Sequence, residues 1–160
     1  MERLWSPWRM QYLAASGDDD GCFLCAASQP VEDDAGVLHR GDAAFVMLNA
    51  FPYNTGHVMV APVRHVGDLD ALEPAERAEI MELTTRAVAV VRAAMDAHGF
   101  NVGMNLGRAA GAGVPGHLHV HVVPRWGGDT NFMPVVAHTK VLPEMLDETA
   151  SKLRPRFARD

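Results

Sequence analysis

The chain has 160 residues, 48% of them hydrophobic and 21% charged, the proportions of an ordinary globular protein able to bury one sizeable core. A formal net charge of −6 argues against general nucleic-acid binding, which needs a basic face. No apolar run approaches the roughly 18 residues of a membrane span, and two cysteines do not make a disulfide scaffold, so a cytoplasmic protein with no membrane partner is expected.

The opening MERLWSPWRMQYL has no continuous apolar run, because Arg3, Pro7, Arg9 and Gln11 interrupt it, and no signal peptide is read there. Ser16–Asp20 and Gln29–Gly36 read as acidic loops. Between them, Cys22 and Cys25 have the Cys-x-x-Cys spacing that zinc accepts. A redox pair or two buried small side chains use the same spacing, so a metal site requires a second pair of ligands. Ala43–Leu48 and His57–Ala61 read as strands. NAFPYNTG joins them, with Pro52, Asn54 and Gly56 marking a turn, and Pro62 ends the second strand.

Apolar residues at helical spacing, among them Ile80, Leu83, Ala87 and Val91, predict one long helix over Pro74–His98. Pro74 suits its first turn and Gly99 the position after its end. Phe100–Leu106 reads as a strand. The glycine-rich Gly107–Gly116 leads into a strand ended by Pro124, and a short helix is expected over Pro143–Leu153. Short connections favour antiparallel pairing, so the fold class is α+β: a mainly antiparallel sheet with one long helix and a short C-terminal helix. A single domain spans 1–160, with its core over 22–126, an N-terminal arm over 1–21 and a C-terminal extension over 127–160.

The strand after the glycine loop reads HLHVHVV. His117, His119 and His121 fall at every second position, with Leu118, Val120 and Val122 between them. In a strand the imidazoles share one face and the aliphatic residues the other. Successive rings sit roughly 6.6–7 Å apart along the strand, too far for all three to bind one metal. The spacing suits a phosphate-sized group engaging the central ring and one neighbour. A neutral imidazole is a competent nucleophile near pH 7, and attack on phosphorus gives a covalent phosphoramidate. The glycine loop offers backbone N–H groups without side-chain bulk, a cradle for phosphate oxygens.

HLHVHVV resembles the signature of the histidine triad (HIT) superfamily. LNAFPYNTGHVMVAP, Leu48–Pro62, is similar to the strand–turn–strand with which that family binds nucleotides. The flanks MERLWSPWRMQYL and HVVPRWGGDTNF look like the bacterial diadenosine-tetraphosphate phosphorylase branch. The resemblance implies cleavage of dinucleoside polyphosphates. His119 would be the nucleophile, His121 would contact the α-phosphate, and His57 would help position His119. Asn49 is implied at the ribose, and Asn105 and Gly113 at phosphate or ribose. Apolar residues around Phe45, Leu48 and Phe51 would wall the base pocket. ADP or ATP departs, and phosphate or water then removes the nucleotidyl group; the flanks favour phosphate. Relatives complete a Cys-x-x-Cys zinc site with two histidines, here His65 and His117, giving a structural Cys22–Cys25–His65–His117 site. A homodimer with no organic cofactor is expected, with Trp5 and Trp8 available to a partner.

Singly, Asn49 reads as a turn residue and His57 as a strand-end histidine; their spacing within the larger match turns both readings towards a site. Arg108 and Arg125 read equally as distal-phosphate ligands or solvated side chains. Trp126 reads as packing more than stacking, His39, His98 and His138 read as surface histidines, and Lys140 is too remote to assign. Many relatives carry Gln or Ser after the loop glycine, where this chain has Val114 and Pro115, a departure that weighs against phosphoramidase activity. The runner-up enzyme is a nucleoside phosphoramidate or adenylate hydrolase, and a non-catalytic nucleotide sensor is the alternative from another class.

Overall fold

The computed structural model describes residues 21–30, 36–129 and 141–158. Five strands form one antiparallel sheet: β1 (Val37–Arg40), β2 (Ala44–Leu48), β3 (Val58–Pro62), β4 (Gly99–Met104) and β5 (Val120–Arg125), in the order β1-β2-β3-β5-β4. Among the described residues, three α-helices accompany them: α1 (Phe23–Ser28), α2 (Pro74–Met95) and α3 (Leu146–Phe157).

Strand alternation divides the sheet into two faces. Val46, Val58, Val60, Leu118, Val120 and Val122 project to one face and form the main core with Ile80, Leu83, Ala87 and Val91 of α2. Leu153 and Phe157 of α3 extend that core. Leu48 also belongs to this layer. It therefore lies on the face opposite the imidazoles and does not wall a pocket beside them. Phe45, Met59 and Ala61 project to the other face, where Leu24 of α1 covers them. His121 shares that second face, because it lies opposite Met59 on β3 and Gly103 on β4.

Most elements lie where patterning predicts, and the boundaries differ for identifiable reasons. The long helix stops at Met95, because Asp96 takes the left-handed conformation (φ 51°) and ends it ahead of Gly99. Gly99 instead opens β4. Pro124 does not stop β5, which runs to Arg125. By then β3 has turned away at Gly56 (φ 78°), so proline's missing N–H breaks no ladder on that side, and Asn54 Nδ2 donates to the Pro124 carbonyl at 3.0 Å. A side chain on Gly56 would meet Met95 Sδ at 2.6 Å. The last helix spans Leu146–Phe157 rather than Pro143–Leu153, because Ala150, Leu153 and Phe157 make one buried stripe. α1 and β1 had no periodic signal and were not foreseen. Trp5, Trp8, Ser16–Asp20, residues 31–35 of the second acidic loop, His138 and Lys140 lie outside the described residues.

Candidate active site and metal centre

β5 begins only at Val120, so His117, at a bend, and His119 precede it outside the ladder. Leu118 N–H donates to the Val66 carbonyl at 2.7 Å there. The alternation survives: Leu118 points into the α2 layer while His119 and His121 stand edge to face, ring centroids 4.9 Å apart. Close approach of the glycine loop to the chain before α2 requires Gly67, whose Cβ would lie 2.5 Å from the Pro115 carbonyl oxygen.

The hydrogen bonds assign the tautomers. His119 Nδ1 lies 2.9 Å from the carbonyl oxygen of His117. A carbonyl only accepts, so the ring donates from Nδ1 and carries its lone pair on Nε2. Tyr53 N–H donates to His57 Nδ1 at 3.0 Å, which places the His57 proton on Nε2. That nitrogen donates to His121 Nδ1 at 3.0 Å, which places the His121 proton on its Nε2. The relay runs from backbone amide through His57 to His121. Burial, reinforced by the neighbouring His121 and His119, pushes His57 down to about 3, so the ring is neutral at physiological pH and the relay keeps its direction. Burial also lowers His119 and His117, each partly offset by its bond to a backbone carbonyl.

Asn49 sits beside this group. Its Oδ1 accepts the Phe51 N–H at 2.9 Å, so it is a turn residue, and its Nδ2 lies 3.5 Å from His57 Nε2. Both nitrogens are donors, so this is a contact and not a hydrogen bond. Asn105 follows β4 directly, and continuing the register Met104↔Val120 sets it opposite His119. Phe45 is enclosed under α1, while Phe51 is 67% exposed. Gly113 follows a 3₁₀ turn at Arg108–Ala110 flanked by Gly107 (φ 77°) and Gly111 (φ 87°). The N–H groups of Ala110, Gly111 and Ala112 close that turn, which narrows the candidate phosphate cradle to the segment from Gly113 onward.

Cys22, Cys25, His65 and His117 converge, their ligand atoms all within 4.8 Å of one another. α1 places Cys22 and Cys25 one helical turn apart, and the segment after Pro62 brings His65. Sulfur–nitrogen separations are 3.3 Å from Cys22 to His117 Nδ1, 3.2 Å from Cys25 to His65 Nδ1 and 3.5 Å from Cys25 to His117 Nδ1. His117 Nε2–H donates to the Pro62 carbonyl at 2.8 Å, turning the Nδ1 lone pair towards the sulfurs. Burial, then the adjacent Cys22, raises the Cys25 thiol, so a cation is what makes its thiolate favourable. This set can hold a metal ion.

One participant, Tyr53, carried no sequence signal. Tyr53 supplies both the amide that orients His57 and a ring against His57 and His121, with centroids 4.7 and 5.6 Å away. Trp126 donates to the carbonyls of Met95 and Asp96, packing on the end of α2 as expected. Arg125 pairs with Asp129 at 2.6 Å while its side chain stays 42% exposed. His98 accepts the Gly127 N–H and His39 stacks on Phe157.

The HIT domain model matches residues 31–128. A Mycobacterium tuberculosis protein named AP-4-A phosphorylase is 44% identical over 167 aligned positions, 99% of this chain and 86% of that one. A Schizosaccharomyces pombe protein named bis(5'-nucleosyl)-tetraphosphatase (asymmetrical) is 33% identical over 93 positions, 58% of this chain and 50% of that one. Among solved structures, a zinc-bound histidine triad family protein from Mycobacterium smegmatis superposes with a TM-score of 0.68 at 26% identity, covering 87% of this chain and 94% of that one.

Proposed function

Because this chain belongs to the HIT family, we propose that it is an enzyme cleaving diadenosine tetraphosphate through a nucleotidyl–histidine intermediate, with inorganic phosphate as acceptor. The observation that carries the reading is the 2.9 Å bond from His119 Nδ1 to the His117 carbonyl, which leaves the nucleophilic lone pair on Nε2. His119 Nε2 attacks the α-phosphorus; the P–N bond forms as the bond to the bridging oxygen breaks, and ATP leaves. His121, its proton held on Nε2 by the relay from Tyr53 and His57, donates to phosphate oxygen as charge develops. A phosphate oxygen then attacks the same phosphorus, the P–N bond breaks, ADP departs and His119 is restored. Asn49 and Asn105 flank the triad as ribose and phosphate contacts, Gly113 and the residues after it receive phosphate oxygens, and Phe51 borders the base, with Phe45 supporting it from beneath.

The neighbouring metal is zinc and structural. Zinc bonds of about 2.3 Å to sulfur and about 2.0–2.1 Å to nitrogen separate tetrahedral S and N ligands by about 3.5 Å, close to the spacings among Cys22, Cys25, His65 and His117. With four protein ligands the ion has no open position and holds α1 against the sheet. No organic cofactor takes part. Two cysteines outside any disulfide suit the reducing cytoplasm, and β4, at the sheet edge, offers a surface for the homodimer.

Water in place of phosphate makes a hydrolase, a reading favoured by the similarity to the tetraphosphatase. The deciding experiment follows ADP and ATP from diadenosine tetraphosphate with and without phosphate. The expected result is no sustained turnover without phosphate and equal ADP and ATP with it. A rate indifferent to phosphate removes the phosphorylase reading. Acid-labile AMP trapped on wild type and absent from His119→Ala tests the intermediate, and its absence from both removes the covalent route and returns the sensor alternative.

A further inference from the structure

Along β5 the face that carries His121 continues to Val123 and Arg125. A cavity of about 260 Å³ opens there, lined by Tyr53, Asn54, Asn101, Val123 and Arg125. Its centre lies roughly 7–13 Å from His121 along the strand, a reach that bridged phosphates and a ribose cover. The cavity does not attract anions: Asp129 meets Arg125 through two bonds, at 2.6 and 2.9 Å, and Asn101 Oδ1 takes a third at 2.7 Å. Its remaining polar groups are complementary to a neutral heterocycle. Asn54 lines the cavity and is 92% buried, and both its amide hydrogens are engaged by the Pro124 carbonyl and Asp129, so the side-chain group it has left to offer is Oδ1, an acceptor. Asn101 Oδ1 is held by Arg125, so its Nδ2 is the donor. Tyr53 adds a half-exposed ring and Val123 an apolar floor.

We propose that this cavity is a second nucleobase subsite, taking the distal adenine of the dinucleotide: Tyr53 stacks on it, Asn54 Oδ1 accepts from its exocyclic amine and Asn101 Nδ2 donates to a ring nitrogen. Paired acceptor and donor groups are how amide side chains read adenine. The inference rests on the dinucleotide cleavage proposed above and adds how two-headed substrates are told from one-headed ones.

The test compares kcat/KM for diadenosine tetraphosphate with that for adenosine 5'-tetraphosphate, which has the same reacting phosphates and no distal nucleoside. Stacking one base on an aromatic ring gives a wild-type preference of roughly 5- to 150-fold for the dinucleotide. Tyr53→Ala should bring the ratio near one, even though its contact with His57 and His121 lowers both rates. Asn101→Leu, at an exposed position on an edge strand, should lower the ratio by about 2- to 12-fold, the worth of one hydrogen bond. A wild type without preference, or variants that slow both substrates equally, overturns the subsite. A ratio left intact while the KM for phosphate rises assigns the cavity to the acceptor and also overturns it. Failure of the wild type to cleave either compound refutes the dinucleotide reading itself, and the subsite falls with it.

Discussion

Replacing His57 with glutamine isolates what its burial does. The ring has no exposed surface, and its pKa is pushed from the ordinary 6.5 to about 3. Between those values the unfolded chain takes up a proton that the folded protein refuses. The contribution to stability is therefore present above pH 6.5 and is lost as pH falls towards 3. At about 1.4 kcal/mol per pH unit the whole gap is worth about 5 kcal/mol, of which about 3 kcal/mol is lost by pH 4. Glutamine can still accept from Tyr53 N–H and donate towards His121, but it does not titrate. Urea unfolding of both proteins at pH 7 and pH 4 gives the double difference. Wild type should lose about 3 kcal/mol more than His57→Gln on acidification, and acid loss of the metal cancels because both proteins carry the same ligands. Equal losses in the two proteins would show that His57 is solvated or protonated in the fold, and the neutral relay would be wrong.

Three further outcomes follow from the site. His119→Ala should lower turnover by several orders of magnitude while nucleotide affinity, measured by calorimetry, persists; retained turnover would move the nucleophile elsewhere. Protein purified without chelator should carry one zinc per chain by elemental analysis, and Cys25→Ala a small fraction of one; a metal-free, fully active wild type would refute the structural zinc. Gly67→Ala drives a methyl group to 2.5 Å from the Pro115 carbonyl, so the glycine loop must move. A loss of about 1–3 kcal/mol in urea is expected, together with reduced activity; an unchanged rate would detach the loop from catalysis.

The parts legible in the sequence were those written in side-chain period. The α2 stripe announced itself through Ile80, Leu83, Ala87 and Val91, and the alternation of Leu118, Val120 and Val122 with histidine divided the two faces of β5 correctly. Boundaries failed where a residue's usual role was overridden locally. Asp96 ended the helix in a left-handed conformation ahead of Gly99, and Pro124 stayed in its strand because β3 had already departed. α1 and β1 were illegible because six and four residues are too few to establish a period.

The four metal-ligand candidates share one corner, yet what orients them is not written in the motif, and the same holds for His119. His117 faces the thiols through Nδ1 because Nε2–H is committed to the Pro62 carbonyl, and His119 exposes Nε2 because Nδ1–H is committed to the His117 carbonyl. Both orienting groups are main-chain oxygens, which every residue possesses and no motif marks. The β3–β5 ladder ends at Val60↔Val120, and beyond it the Pro62 carbonyl on one chain and the His117 carbonyl on the other accept from rings instead of amides. The motif therefore supplied the imidazoles, and main-chain carbonyls decided which nitrogen of each ring keeps its lone pair.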